Sequence, residues 1–520
     1  MLRTPTRVSR SPDGIAVAVL SCLTSLAGAA NVVAAERDDT SITIYSSARP
    51  GAVPPELYRP VQGMGVPNGL GVPGYALVRH ERPVNLASGR SSVRFTDVAA
   101  LIDPTTVQFT SLTDPETRVL EQNFQFDLVS TQKLLLKFID KPLTLERIVG
   151  DDIKTLSGTL LSAADGLVLR GTDGQIYAVR DYGNIRFPEL PGGLITRPTL
   201  EWDVLAKRGG EHRTRVAYQT GGLTWWSDYN LTFSEGSDAN SGFLDVGAWV
   251  SIINQSGASY PNARLKLIAG DVHRAEPPAA PMLRKGAMEM AAAADAAAGF
   301  DEKAFFEFHL YTLGRRTTLP DNSTKQIELF DAARRVPTRK TLVYYGQEPI
   351  GYWYSDPVTD RNFGNQSNHK VDVYLEFKNE EKVGLGIPLP AGRIRVAQLD
   401  KADGSLEFIG EDIIDHTPKD ETVLVKLGSA FDVVGERRQV DFSIDTKARW
   451  MEEEIELKVR NHKTEPVDVI VKENLYRWSK WQIKTSTHRY EKEDARTIHI
   501  PVTIAKDGEA VVRYRVRYTW

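Results

Sequence analysis

The segment Val511-Val512-Arg513-Tyr514-Arg515-Val516-Arg517-Tyr518 alternates, with Val512, Tyr514, Val516 and Tyr518 on one side and arginines on the other. Successive side chains of an extended chain point to opposite faces, so the pattern predicts a strand with one face in a core and one in water. The same period of two recurs in Ile455, Leu457 and Val459 against Glu454, Glu456, Lys458 and Arg460, and in Val371, Val373, Leu375 and Phe377 against Asp372, Glu376 and Lys378. Asp-Gly pairs punctuate such runs: Asp173-Gly174 between 167–170 and 176–179, Asp403-Gly404 between 394–399 and 406–409, and Asp507-Gly508 before the last strand. These pairs tolerate the positive φ of tight hairpins. Short alternating strands with turns at this spacing predict a mainly β chain of several antiparallel sandwich or barrel modules.

Helical signals are few. Ser130-Thr131-Gln132-Lys133 followed by Leu134, Leu135 and Phe138 predicts one short capped helix. Asp114-Pro115-Glu116 and Thr417-Pro418-Lys419-Asp420 read as starts of single helical turns, each with a capping oxygen, Pro at the first position and a nearby acid. Residues 277–299 change composition to a Pro- and then Ala/Met-rich insertion without a wide apolar face. The resulting organisation is an N-terminal β region over 40–125, a short helix with a small hairpin-rich module over 126–200, a middle sandwich over 200–340 interrupted by 277–299, and a C-terminal sandwich region over 341–520.

The bulk numbers narrow the function. With 520 residues, 41% hydrophobic and 25% charged, the chain has the composition of an ordinary multi-domain globular protein, not of a disordered or polytopic one. A net charge of -4 lacks the basic footprint that nucleic acid demands. Arg3, Arg7 and Arg10 precede an uncharged stretch from Ile15 to Ala35 that begins apolar and ends in small residues, the order of a secretory signal peptide over 1–35. Cleavage after Ala29 or Ala35 leaves a chain without a transmembrane helix; an uncleaved anchor and lipidation at Cys22 are the competing fates of these residues. Cys22 is the one cysteine, so a cleaved chain has no disulfide, no thiolate nucleophile and no Cys-ligated zinc.

Chemical motifs mostly fail on context. Gly69-Leu70-Gly71-Val72-Pro73-Gly74 matches a dinucleotide fingerprint in letters, yet no strand precedes it and no helix follows. The nine histidines are scattered and give no local ligand spacing, so neither a metal nor a cofactor is expected. Glu411, Asp415 and His416 form the densest acid and imidazole cluster and are the candidates for acid–base work, although capping of the turn at Thr417 also accounts for them. Aromatic pairs are the positive hint of ligand contact. In Trp225-Trp226-Ser227-Asp228-Tyr229 the two indoles face opposite ways on a strand, and Trp353, Trp478 and Trp481 pose the same question. An outward indole stacks on a sugar or anchors a protein; an inward one plugs a sandwich core.

Several stretches together carry a family likeness. Val119-Leu120-Glu121-Gln122-Asn123-Phe124, Leu200-Glu201-Trp202, residues 218–225, 305–329, 410–421 and 430–434, Glu473-Asn474-Leu475-Tyr476-Arg477-Trp478 and the terminal 514–520 resemble bacterial exported proteins of domain-of-unknown-function family 4139 (DUF4139). The likeness spans residues 75–520. It implies a largely β protein of the periplasm or cell envelope and carries no catalytic or binding residues with it. Some relatives, called mucoidy-inhibitor-like, have a long coiled coil; this chain has no heptad run. The expectation is an exported cell-envelope protein with a non-catalytic structural or binding role toward a protein or glycan. The alternative is a carboxylate-based hydrolase of envelope polysaccharide, which needs two acids facing across a cleft about 5 to 9.5 Å apart.

Overall fold

Strands dominate the computed structural model, which describes residues 39–45, 53–58, 71–272 and 300–520, apart from 126, 128, 150–151, 165, 181, 193, 271, 348–354 and 365–366. The leader with Cys22, the insertion 277–299 and Trp353 lie outside the described residues. Among those described, one helix reaches seven residues, Thr131–Lys137, and the chain is mainly β as its alternation predicts. No helix among them is long and apolar enough to cross a membrane.

The last strand, Glu509–Thr519, lies between Trp450–Asn461 and Trp481–Ser486. Val512, Tyr514, Val516 and Tyr518 are buried. Arg513, Arg515 and Arg517 pair with Glu456, Glu454 and Glu452, which stand directly opposite in register. One face is core and the other a cross-strand ladder of opposite charges.

The N-terminal sandwich draws on distant parts of the chain. Its larger sheet runs in the order Phe300–Phe305, Phe308–Leu313, Tyr260–Ala269, Asp39–Tyr45, Tyr75–Leu86, Gly210–Gly221 and Ile102–Ser111, with Thr317–Leu319 paired to Tyr260–Ala269. A three-stranded sheet, Gly89–Thr96, Thr199–Ala206 and Arg118–Gln125, packs on it through Phe95, Trp202 and Val204 against Ile44, Val78 and Tyr218. Within this core His80 meets Thr40 Oγ1 at 3.0 Å and Tyr218 Oη at 3.1 Å. Burial, then the nearby Arg82 cation, push its pKa down to about 4.

Between two strands of the smaller sheet sits a separate module with its own core of Leu135, Phe138, Leu143, Leu145, Leu160, Leu167 and Leu169. Its five strands, ordered Asn184–Arg186, Pro142–Val149, Asp152–Ser162, Leu167–Gly171 and Ile176–Val179, carry the helix Thr131–Lys137. Ser130 caps that helix by accepting from the Lys133 N–H at 3.3 Å. The turn at Asp114 is capped too, with the Glu116 N–H donating to its Oδ1 at 3.3 Å, but the chain goes straight into strand Arg118–Gln125 and no helix propagates.

The remaining strands form one long curved sheet serving two cores. Its order is Leu406–Ile414, Gly392–Leu399, Leu223–Glu235, Ser241–Asn254, Ser323–Tyr345, Lys370–Lys378, Thr422–Asp445, Trp450–Asn461, Glu509–Thr519 and Trp481–Ser486; Val467–Asn474, Thr497–Ile504 and Glu491–Lys492 branch from it. Ser323–Tyr345, 23 residues long, gives Ile327, Leu329 and Val336 to the first core and Leu342 and Tyr344 to the second. The chain crosses from the N-terminal sandwich into this sheet at Gly222, whose φ of 76° puts a β-carbon against the Gln255 carbonyl, a conformation and space left to glycine.

Candidate functional site

Strand Leu223–Glu235 should show alternate burial, yet seven consecutive residues from Leu223 to Tyr229 are buried. Trp225 and Tyr229 point into the core, where Trp225 meets Tyr311 edge-on with ring centroids 6.3 Å apart. Trp226 and Asp228 face the other way and are covered by the segment that includes the short helix Pro55–Tyr58. Val53 and Leu57 pack on Trp226 and Ile253, and the Tyr58 and Trp226 ring centroids are 5.5 Å apart. The two indoles do face opposite ways.

Neighbouring strands extend this outer face in register. Trp226 stands opposite Ser251, Ser251 opposite Gln326, Ile253 opposite Thr324, Asp228 opposite Arg393, and Arg395 opposite Glu411. Asp228 is the hub. Its Oδ2 accepts from Trp226 Nε1 at 2.7 Å and Ser251 Oγ at 2.9 Å, and its Oδ1 accepts from Arg395 Nη1 at 3.1 Å. Gln326 Nε2 donates to Ser251 Oγ at 3.0 Å, and Arg395 Nε lies 3.7 Å from Glu411 Oε2. Two of the candidate residues, Trp226 and Glu411, thus belong to one network joined through Asp228 and Arg395.

A cavity of about 430 Å³ opens between this face and the covering segment, lined by Trp226, Tyr58, Thr324, Gln326, Arg393 and Arg395 among others. Its size is that of a small-molecule site. Arg395 is matched by Asp228 and, from outside the lining, by Glu411, whereas the Arg393 side chain makes no ion pair or hydrogen bond among the described residues. Of the two lining arginines, Arg393 is therefore the one left without a partner. Asp228, with three donors on its two oxygens, is an acceptor that orients its neighbours.

Core groups hold Arg393 in place. Tyr229 Oη donates to the Pro390 carbonyl at 2.7 Å and Tyr311 Oη to that of Pro388 at 2.9 Å, fixing the entry to strand Gly392–Leu399. Burial raises the pKa of both phenols, keeping them donors. His416 Nδ1 accepts from the Ala391 N–H at 3.0 Å, and Thr417 exchanges two backbone hydrogen bonds with Leu389. Thr417 therefore does not start a helical turn as its sequence suggests; its Oγ1 donates to the Asp415 carbonyl and its backbone is committed to a bridge. Asp415 is exposed beyond the strand end, while Glu411 lies on the sheet face with Arg395. His416 steadies the backbone before Arg393 and does not join Glu411 in an acid–base pair.

The other aromatic candidates sit elsewhere. Trp478 and Trp481 pack half-buried on the C-terminal core, with Trp481 Nε1 donating to the Ala495 carbonyl at 2.8 Å and the Lys492 ammonium 5.0 Å from its ring centroid. Sequence reasoning passed over three residues of the outer face: Arg393, Asp228 and Trp249. Trp249 stands directly opposite Asp228, on the same face as Ser251, and is 39% exposed. Its signal was its odd position in 241–254, where the even residues Leu244, Val246, Ala248 and Val250 are the core.

A second cavity, of about 460 Å³, lies on the small module beside Thr144, Ser157, Arg170, Arg186 and Phe187. Arg186 pairs there with Glu146; among the described residues the Arg170 side chain has no ion pair or hydrogen bond, and Phe187 is the one aromatic ring in the lining. Comparison with protein-family models, curated proteins and solved structures gives no match.

Proposed function

We propose that the chain is an exported protein of a bacterial cell envelope with a non-catalytic binding role, and that the cavity against Trp226 holds its ligand, a protein segment or a glycan. The observation that carries the reading is the unpartnered Arg393 guanidinium beside an aromatic wall in a cavity of ligand size. Asp228, the one carboxylate lining that cavity among the described residues, has both oxygens engaged by donors, the arrangement of a positioning group. Export is supported by the order of charge, apolar run and small residues at the amino terminus and by the likeness to DUF4139 proteins.

The test is retention of the leader-free chain's ligands from envelope extract, run beside a glycan array, with wild type and Thr324→Trp. Thr324 is an exposed strand residue lining the cavity, so an indole there fills the space while the fold is kept. Retention by wild type and its loss in Thr324→Trp is the expected result. Identical retention by both proteins, or cleavage of a polysaccharide without retention, contradicts the proposal.

A further inference from the structure

We infer that the cavity takes an anionic saccharide, one whose pyranose carries a carboxylate or sulfate, and that the chain of sugars continues from the cavity over Trp249. This rests on the reading of the cavity as a binding site and names its ligand. Four features of the outer face converge on that chemistry.

The first is charge. Among the described residues two guanidinium groups, Arg393 and Arg395, line the cavity with one carboxylate, Asp228, and Arg395 takes both Asp228 and the nearby Glu411. The Arg393 side chain has no such partner and presents a planar fork of donors suited to a carboxylate or sulfate. A ligand with one negative group supplies the missing partner. The second is the wall. The half-buried Tyr58 ring offers surface to the apolar C–H face of a sugar, backed by the buried Trp226 indole whose N–H is held by Asp228. The third is the polar lining: Thr324 and Gln326 supply a hydroxyl and an amide at the cavity's edge, groups that both donate and accept and so match ring hydroxyls. The fourth is the continuation. Trp249 lies across one strand boundary from Asp228 on the same sheet face, and its ring is exposed. A single small anion has no use for that second indole; an oligosaccharide lying along the face does.

The experiment is a calorimetric titration of the purified protein with oligogalacturonate, sulfated galactan and neutral galactan of matched length. The variants are Arg393→Gln, Trp249→Ala and, on the small module, Arg170→Gln. One anionic series binds at least about tenfold more tightly than the neutral one, and carboxylate against sulfate identifies the group. Arg393→Gln removes the preference for charge and leaves the neutral sugar's affinity unchanged, as loss of one charge-assisted contact requires. Trp249→Ala weakens the oligosaccharide by about three- to tenfold and leaves the affinity for galacturonate, the single sugar titrated alongside, unaffected. Arg170→Gln changes nothing.

Equal binding of neutral and anionic sugars, or a preference that survives Arg393→Gln or vanishes in Arg170→Gln, overturns the inference. So does a peptide with a free terminal carboxylate that displaces the sugar at lower concentration. If neutral sugars bind and Thr324→Trp abolishes that binding, the ligand class is wrong and the cavity stands as a binding site. If Thr324→Trp affects no ligand that the protein retains, the site itself is wrong.

Discussion

Two arginine–carboxylate clusters in this molecule are built from the same groups and do different things. In the C-terminal core Arg437 Nε donates to Glu473 Oε2 at 3.0 Å and Arg477 Nε to Glu453 Oε2 at 2.9 Å, all four side chains being buried. Tyr514 and Tyr518 donate to the same two carboxylates, and burial together with those anions raises the pKa of both phenols. The spare guanidinium hydrogens go to backbone carbonyls, from Arg437 to Gly364 and from Arg477 to Val358, Asp360 and Phe363, which ties down that loop. Here every charge is matched. On the outer face of strand Leu223–Glu235, Asp228 and Arg395 match each other and Arg393 is left beside open space. A guanidinium buried on its carboxylate makes a brace, and one left without a partner beside the Tyr58 and Trp226 rings makes a candidate site.

The comparison breaks first at the brace. Arg437→Met leaves the Glu473 side chain buried without its cation, at a cost of about 3 to 5 kcal/mol in chemical unfolding of the C-terminal core. Replacing both, Arg437→Met with Glu473→Leu, regains a large part of that loss; a double variant as unstable as the single one contradicts the brace.

A half-buried imidazole beside the Arg82 cation gives the next effect. The folded chain refuses a proton at His80 until about pH 4, whereas an unfolded histidine titrates near 6.5. Its contribution is complete above pH 6.5 and is lost as the pH falls toward 4, by up to about 3 kcal/mol. Denaturant midpoints at pH 7, 5.5 and 4 for wild type and His80→Gln isolate this slope. Parallel curves refute it.

Smaller changes belong to the outer face. Asp228→Asn strips Arg395 of its nearer anion, leaving Glu411 at 3.7 Å, and costs about 1 to 2 kcal/mol, measurable in the same unfolding assay. Arg393→Gln costs no more than about 0.5 kcal/mol, because no side-chain hydrogen bond or ion pair among the described residues is lost. A large destabilisation by Arg393→Gln reclassifies it as structural and removes the contrast between the clusters.

Much of the fold was legible because it rests on local period and turn chemistry. The strand at 511–518 alternates cleanly, those at 371–377 and 455–459 do so apart from a half-buried Val373 and a buried Glu456 held by Arg438 and Arg513, and Ser130 caps its helix through the oxygen its spacing offers. The Asp-Gly positions also read true: Gly174 and Gly404 take positive φ, while at 507–508 it is Asp507 that does so. Less legible was anything set by long-range register. The sequence 222–229 shows two indoles facing apart, but nothing local tells that residues 53–58 cover one of them. Glu411 and His416, five positions apart, looked like one cluster; the strand ends between them and sends each to a different task. Arg393 and Arg395 resemble ordinary outward charges of an alternating strand, and only pairing with Leu223–Glu235 reveals that one has a partner and the other does not.

The account's central claim is that unmatched charge beside the Trp226 wall marks where this protein meets its ligand. A crystal of the protein soaked with the tightest-binding glycan tests it most directly. The account predicts electron density for a sugar ring against Tyr58 and beside Arg393, with its anionic group on the Arg393 guanidinium. Density at Trp478 and Trp481 or on the small module, with the Trp226 cavity empty, contradicts it.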